Sequence, residues 1–228
     1  LGHTIHSIHR LDRETSGVQV LGKKPSSAQR FTDFFEKELV AKCYFLISHK
    51  KNKPSFPFTA NERLGQEDDF LPRLFVHNYP TDSSLGKHAS TKFELLFESD
   101  NYLVALAFPI TGRQHQIRAH AAFHGLPLIG DKLYNGDPKV FMRFKDEVAT
   151  EADHDLMQIS RHSLHAIGLT FPYPNKSESQ IFRAPLPLDL IAWLKQNMPN
   201  INLDNLNEKI NQVLTRGLKE KLNETEKV

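Results

Sequence analysis

The sequence predicts an α+β domain in which helices flank a largely antiparallel, mixed central sheet. Three observations carry that expectation. A helical segment with an aromatic face lies between two strand-like stretches in residues 18–48, and two apolar runs joined by turn residues span 93–108. The remaining elements do not follow the strict strand–helix alternation of a parallel sheet.

Taken in order, Val18 and Val20 alternate with polar or small neighbours, the period of a short strand. Pro25, Ser26 and Ser27 open a segment in which Ala28, Phe31, Phe34, Phe35 and Leu39 recur at helical spacing, predicting a helix over 24–40. A strand over Lys42–Ser48 follows. Residues 52–88, rich in Pro, Asn, Asp and charge, read as loops or an irregular insertion with short β-like pieces around Phe56 and Leu74. Phe93, Leu95 and Phe97 alternate with Lys92, Glu94 and Glu98; Ser99, Asp100 and Asn101 turn the chain, and the apolar run Tyr102–Phe108 completes a β-hairpin. Arg113–His124 has helical character and stops at Gly125, Ser163–Phe171 is strand-like, and Leu188, Ile191 and Leu194 mark a short helix. After Pro199, Leu206, Ile210, Val213, Leu214 and Leu218 define an amphipathic helix. The expected division is a body over residues 1–198 and a helical tail over 199–228.

Composition narrows the function classes. With 228 residues, 39% hydrophobic and 25% charged, the chain is an ordinary globular sequence. Its one cysteine, Cys43, excludes an intramolecular disulfide and any multi-cysteine metal site, and suggests a reducing compartment, the cytoplasm. The Tyr102–Phe108 run is far short of the ~20 apolar residues of a membrane-spanning helix, so no membrane association is expected. Leu1 is not an initiator methionine and residues 1–10 lack the apolar core of a signal peptide, so the expectation is a chain that continues upstream. The formal net charge of +2 conceals an asymmetry: residues 1–53 hold ten Lys and Arg against five Asp and Glu, a net +5 that leaves −3 for the rest. That basic segment is a candidate phosphate-facing surface, although a solvated charged face is the commoner meaning of such a count. In residues 201–228 five acidic and five basic residues cancel, so a basic RNA-binding tail is not supported.

Two polar clusters could carry chemistry. His9-Arg10-Leu11-Asp12-Arg13-Glu14-Thr15-Ser16-Gly17 reads as a loop feeding a strand, and alone its Asp12 is a turn or capping carboxylate. Thr111-Gly112-Arg113-Gln114-His115-Gln116-Ile117-Arg118-Ala119-His120 has two arginines and two histidines, with no acid before Asp131, and suits an anion. On a helix Arg113 and Arg118 point in different directions, so one can meet a phosphate and the other a carboxylate such as Asp12. His120 and His124 have the spacing of two metal ligands on one helix face, but the segment lacks the glutamate base of a zinc hydrolase and an obvious third ligand. Packing or hydrogen bonding near a helix end is the simpler reading of that pair.

Together these clusters resemble the RluA-type RNA pseudouridine synthases. His9-Arg10-Leu11-Asp12 with Thr15-Ser16-Gly17 is similar to the family's aspartate motif, and Lys42-Cys43-Tyr44 to its Lys-x-Tyr. Gly112–His120 with Gly125, Pro127, Gly130-Asp131 and Tyr134 resembles the long motif bearing the family's arginine, and Leu164-His165-Ala166 with Leu169, Phe171 and Pro174 its late core strand. Coverage runs from about residue 5 to about residue 195. The chain departs from the family in lacking the upstream strand and Lys-Pro segment, in Tyr173 where a histidine is usual, and in the bulky Phe45-Leu46-Ile47 after the tyrosine.

The resemblance implies the pseudouridine synthase fold and an isomerase that needs no cofactor and no metal. It implies RNA, ribosomal or transfer, as partner, and a monomer. Asp12, Tyr44 and Arg118 are the implied catalytic residues, with Arg10, Arg113 and His115 contacting RNA. The rival readings are an RNA-binding module that keeps the fold without the chemistry, and a metal-dependent hydrolase built on His120 and His124.

Overall fold

The structure is a computed structural model that describes residues 4–52, 54–67, 74–171 and 180–225, with side chains of the last helix to residue 220. The chain runs β1 (His6–Ser7), β2 (Ser16–Gly17), β3 (Leu21–Gly22), α1 (Pro25–Glu36), β4 (Ala41–His49), β5 (Phe58–Ala60), β6 (Arg63–Gly65) and β7 (His77–Tyr79). It continues with β8 (Thr91–Glu98), β9 (Tyr102–Pro109), α2 (Gln116–Phe123), α3 (Lys139–Lys145), α4 (Glu151–Met157), β10 (His165–Thr170), β11 (Ile181–Arg183), α5 (Leu188–Asn197) and α6 (Leu203–Thr225).

The central sheet has the order β11-β10-β4-β9-β8-β5, all antiparallel, and β2 joins β10 in parallel through Ser16 beside His165 and Gly17 beside Ala166. It is the α+β, largely antiparallel mixed sheet that the sequence predicts. The hairpin β8–β9 forms where alternation places it, with a bulge between Leu95 and Phe97. Its inner neighbour β4 is covered on both faces, which is why its sequence reads as nearly continuous apolar residues rather than as an alternation.

Strand β4 divides the core. Cys43, Phe45 and Ile47 point to one side, where α5 and α6 close the core through Trp193, Leu194, Leu206, Ile210, Val213, Leu214 and Leu218. Tyr44 and Leu46 point to the other, toward Ile117 and Ala121 of α2. Neighbouring residues of a strand face oppositely, so Tyr44 shares a side with α2 while Cys43 is sealed in the core. The apolar stripe of α6 therefore lies on the body of the protein.

Several elements differ from the sequence reading. Val18–Val20 connect β2 and β3 instead of forming the strand themselves. Helix α1 stops at Glu36 because Glu38 turns left-handed, φ 56°, and sends Val40 into a small core with Leu169 and Phe171. Helix α2 starts at Gln116, not Arg113, because the Gln116 side chain accepts from Arg113 N and Thr111 Oγ1 and donates to Ser90 O and Thr91 Oγ1, pinning the preceding residues as a loop. Helices α3 and α4 and strand β11 have no counterpart in that reading. Tyr173 and Pro174 lie outside the described residues, as do residues 68–73 of the irregular insertion.

Candidate active site

Asp12 sits at the head of a turn in which Thr15 N donates to Asp12 O at 2.9 Å, so its local setting is the turn carboxylate that the cluster alone suggests. Long-range contacts then stitch this loop in place. Ser16 Oγ is 2.8 Å from His165 Nδ1, and Val18 N donates to Ala166 O at 2.8 Å. Gly17 has φ 118°, and a Cβ there would meet Ala166 O at 2.2 Å, so glycine alone permits the close parallel pairing of β2 with β10. Glu14 ties the loop to a second one: its carboxylate accepts from Lys132 Nζ at 2.7 Å and from His162 N at 3.1 Å.

From the facing helix α2, Arg118 reaches Asp12 across 106 positions of sequence, Nη1 donating to Asp12 Oδ2 at 3.0 Å. The charge-assisted pair expected from the two clusters is therefore present. The same guanidinium makes a fork with Asp131, Nε to Oδ2 at 2.7 Å and Nη2 to Oδ1 at 2.8 Å, and lies 5.2 Å from the Tyr134 ring centre. Asp131 is fully buried and accepts further from the Leu133 and Tyr134 amides. Burial by itself would raise its carboxyl, but the Arg118 charge and hydrogen bonds outweigh that and hold it down to about 2. Burial likewise opposes the Arg118 charge, and Asp131 and Asp12 together more than compensate, raising its pKa. Asp131 thus anchors the guanidinium, which leaves one N–H edge for Asp12. The Asp12 side chain is 24% exposed, so its carboxylate keeps access to the cavity beside it.

That cavity, about 530 Å³, is lined by all six residues singled out by the sequence: Arg10, Asp12, Tyr44, Arg113, His115 and Arg118. Burial, and then Asp12, raise the Tyr44 phenol, so it is a protonated aromatic wall at neutral pH. Arg113 lies ahead of the helix, with Nε donating to His88 O at 2.9 Å. His9, also on the wall, stacks on Phe35 with ring centres 4.5 Å apart and accepts from Val20 N through Nε2. The arrangement offers an anionic carboxylate with a fixed counter-charge, an aromatic surface and cationic side chains within one cleft.

Sequence reasoning missed Asp131 as the principal partner of Arg118, and the supporting roles of Glu14, Lys132, Tyr134 and His162. Asp131 and Tyr134 were visible in the long motif, but nothing in their spacing says that the chain folds back after Gly125 to meet the helix it has just left. His120 and His124 do not form a joint ligand face: His120 has Thr91 Oγ1 at 3.0 Å and Glu62 O at 3.1 Å on its two nitrogens, and His124 Nε2 sits 3.1 Å from the Glu62 carboxylate. Among the described residues no group of three metal-ligating side chains occurs, and no helix is long and apolar enough to cross a membrane.

Comparison with known proteins gives a consistent picture. The family described as RNA pseudouridylate synthase matches residues 2–123. Ribosomal large subunit pseudouridine synthase D of Blochmanniella floridana is 31% identical over 195 residues, 83% of this chain and 57% of that protein. Ribosomal large subunit pseudouridine synthase C of Vibrio parahaemolyticus is 30% identical over 179 residues, 78% of this chain and 51% of that protein. The chain thus spans a little over half the length of these relatives. The solved structure of human RNA pseudouridylate synthase domain containing 4 matches with a TM-score of 0.66 at 23% identity, covering 84% of this chain and 75% of that one, and so shares the fold.

Proposed function

The chain belongs to the RNA pseudouridylate synthase family, of the RluA type, and on that premise we propose that it isomerises uridine in RNA to pseudouridine, with ribosomal RNA as the substrate. The observation that carries the reading is the Asp12–Arg118–Asp131 array opening on the cavity that Tyr44 walls. The reaction breaks the N1–C1′ bond, turns the base and joins C5 to C1′; the C5 hydrogen leaves and N1 takes a proton. Asp12 is the nucleophile or base at the sugar, and Arg118 holds it in place through the charge-assisted hydrogen bond from Nη1. Tyr44 packs against the uracil once it has left its stack. Arg10, Arg113 and His115 contact the RNA, the two arginines taking phosphates. The large-subunit names of the relatives favour ribosomal over transfer RNA. No cofactor enters this scheme, and we place the protein in the cytoplasm as a monomer, with the catalytic body in residues 1–198.

Asp12→Asn tests the reading. Asn keeps the size and much of the hydrogen bonding but supplies no anion, so tritium release from C5-labelled ribosomal RNA should fall to background. Affinity for the same RNA in a filter-binding titration at fixed salt should stay within about twofold, because phosphate contacts dominate it. Substantial turnover by the variant would remove Asp12 from the chemistry and the reading with it.

A further inference from the structure

A chain of hydrogen bonds beside the ion pair has a direction that fixes the state of one cavity residue. His115 stands at the start of α2 in the left-handed conformation, φ 53°, and lines the cavity. Its Nδ1 lies 3.2 Å from the Tyr134 hydroxyl, which already accepts the Val76 N–H at 3.0 Å. Burial raises the Tyr134 phenol, so it keeps its proton. A buried hydroxyl proton needs an acceptor, and among the described residues His115 Nδ1 is the one within reach. Tyr134 therefore donates to Nδ1, and a neutral His115 must carry its own proton on Nε2. The ring is held neutral: burial, then Arg118 and more weakly Arg10, outweigh the opposing pull of Asp12 and Asp131 and lower its pKa to about 4. Nε2 has no hydrogen-bond partner among the described residues, which leaves its N–H to the cavity.

We propose that His115, fixed in the Nε2–H form by Tyr134, is a specificity-determining donor to the carbonyl oxygen that uracil carries where cytosine carries an amino group. The inference takes the cavity as the uridine site of the proposed function and adds how it tells the two pyrimidines apart. A neutral donor suits a carbonyl, whereas the phosphates have Arg10 and Arg113, whose full charges bind anions more strongly. An amino group meets the His115 N–H donor to donor, and leaves it unpaired in a half-buried site. Tyr134 is a positioning residue that acts through His115.

The test is a long-range proton–nitrogen correlation spectrum of the full chain labelled with ring-15N histidine. His115 should show an unprotonated Nδ1 and a protonated Nε2 from pH 5.5 to 8, and Tyr134→Phe should convert this to a mixture of tautomers. Uridine 5′-monophosphate should shift the Nε2 signal, while cytidine 5′-monophosphate and ribose 5-phosphate should not. A protonated Nδ1, a ring titrating near 6.5, or an equal response to cytidine monophosphate or ribose phosphate would overturn the proposal, as would silence toward uridine monophosphate. In turnover, His115→Leu should lower kcat/KM by roughly 10- to 100-fold, the size of one hydrogen bond to a base, and His115→Gln, whose amide can donate from near the Nε2 position, by less. Uridine-selective shifts in a protein that makes no pseudouridine would sink the proposed function and leave this donor in place. The converse pattern, turnover without selectivity at His115, would sink this inference alone.

Discussion

Arg118→Met should be among the most destabilising single changes in the protein, and its cost should shrink in acid. Methionine fills the apolar stem of the arginine but removes the charge that Asp131, fully buried, pairs with through both of its oxygens. Removing one member of a buried ion pair costs about 3–5 kcal/mol. The titration of Asp131 supplies an independent lower bound: Arg118 holds it at about 2 against an ordinary 3.8, and returning it merely to 3.8 forfeits about 2 kcal/mol. Burial then carries it further, because desolvation is the largest influence on this carboxyl and raises it.

The pH dependence changes sign with the variant. In the parent protein the depressed Asp131 contributes stability that is present above pH ~4 and is lost as pH falls toward 2. In Arg118→Met its folded pKa lies above the unfolded one, so the penalty stands at pH 7 and lifts as pH falls through the raised value. Urea unfolding at pH 7 and pH 5 should therefore show a loss of about 3–5 kcal/mol that is smaller at the lower pH. Adding Asp131→Asn should recover part of it at pH 7, because Asn still accepts the Leu133 and Tyr134 amides without a stranded charge. That double variant also separates Asp131 from His115 and His162, whose lowered pKa values come from burial first and from the Arg118 charge second. A loss below about 1 kcal/mol at both pH values, or no recovery in the double variant, would refute this account of how Arg118 is anchored.

Three further outcomes are expected. Gly17→Ala should cost at least about 2 kcal/mol in urea unfolding and impair turnover, since a side chain at φ 118° meets Ala166 O at 2.2 Å and pushes β2, and the Asp12 loop before it, off β10. Leu214→Ala, at a fully buried position of α6, should destabilise the whole protein by about 2–5 kcal/mol within a single melting transition; a main transition left in place would mean that the helix is not part of this core. His162 is held near pKa 4 by burial and then by Arg118, against Asp131, Glu14 and Asp12; a folded pKa below the ordinary 6.5 means stability that is complete above 6.5 and falls by about 2 kcal/mol by pH 5, so His162→Gln should flatten that acid slope in urea titrations.

The parts of this protein that its sequence determined are those whose physics is local. The β8–β9 hairpin was legible because alternation and a three-residue turn are written in consecutive residues, and β4 because the middle of a strand covered on both faces, here Cys43–Ile47, is an unbroken apolar run. The opposite facing of Tyr44 and Cys43 follows from strand geometry alone. Asp12, Tyr44, Arg118, Arg10, Arg113 and His115 were legible as candidates because each sits in a contiguous motif, and the fold brings all of them to one cavity. Helix α4 carries a local signal too, the Thr150–Asp153 capping box at its start.

Only the tertiary structure decided how those candidates are held. That β2 pairs with β10 in parallel depends on contacts across 149 positions and on room for a glycine backbone against Ala166, neither of which has a local pattern. That Arg118 spends two of its N–H groups on Asp131 and one on Asp12 depends on the reversal of the chain after Gly125, and so does the Tyr134 hydroxyl that sets the proton on His115. Charge type and spacing name the groups that can pair. Burial decides which pairs must form, because an ionised or hydrogen-bonding group removed from water is stable only where the fold supplies its partner.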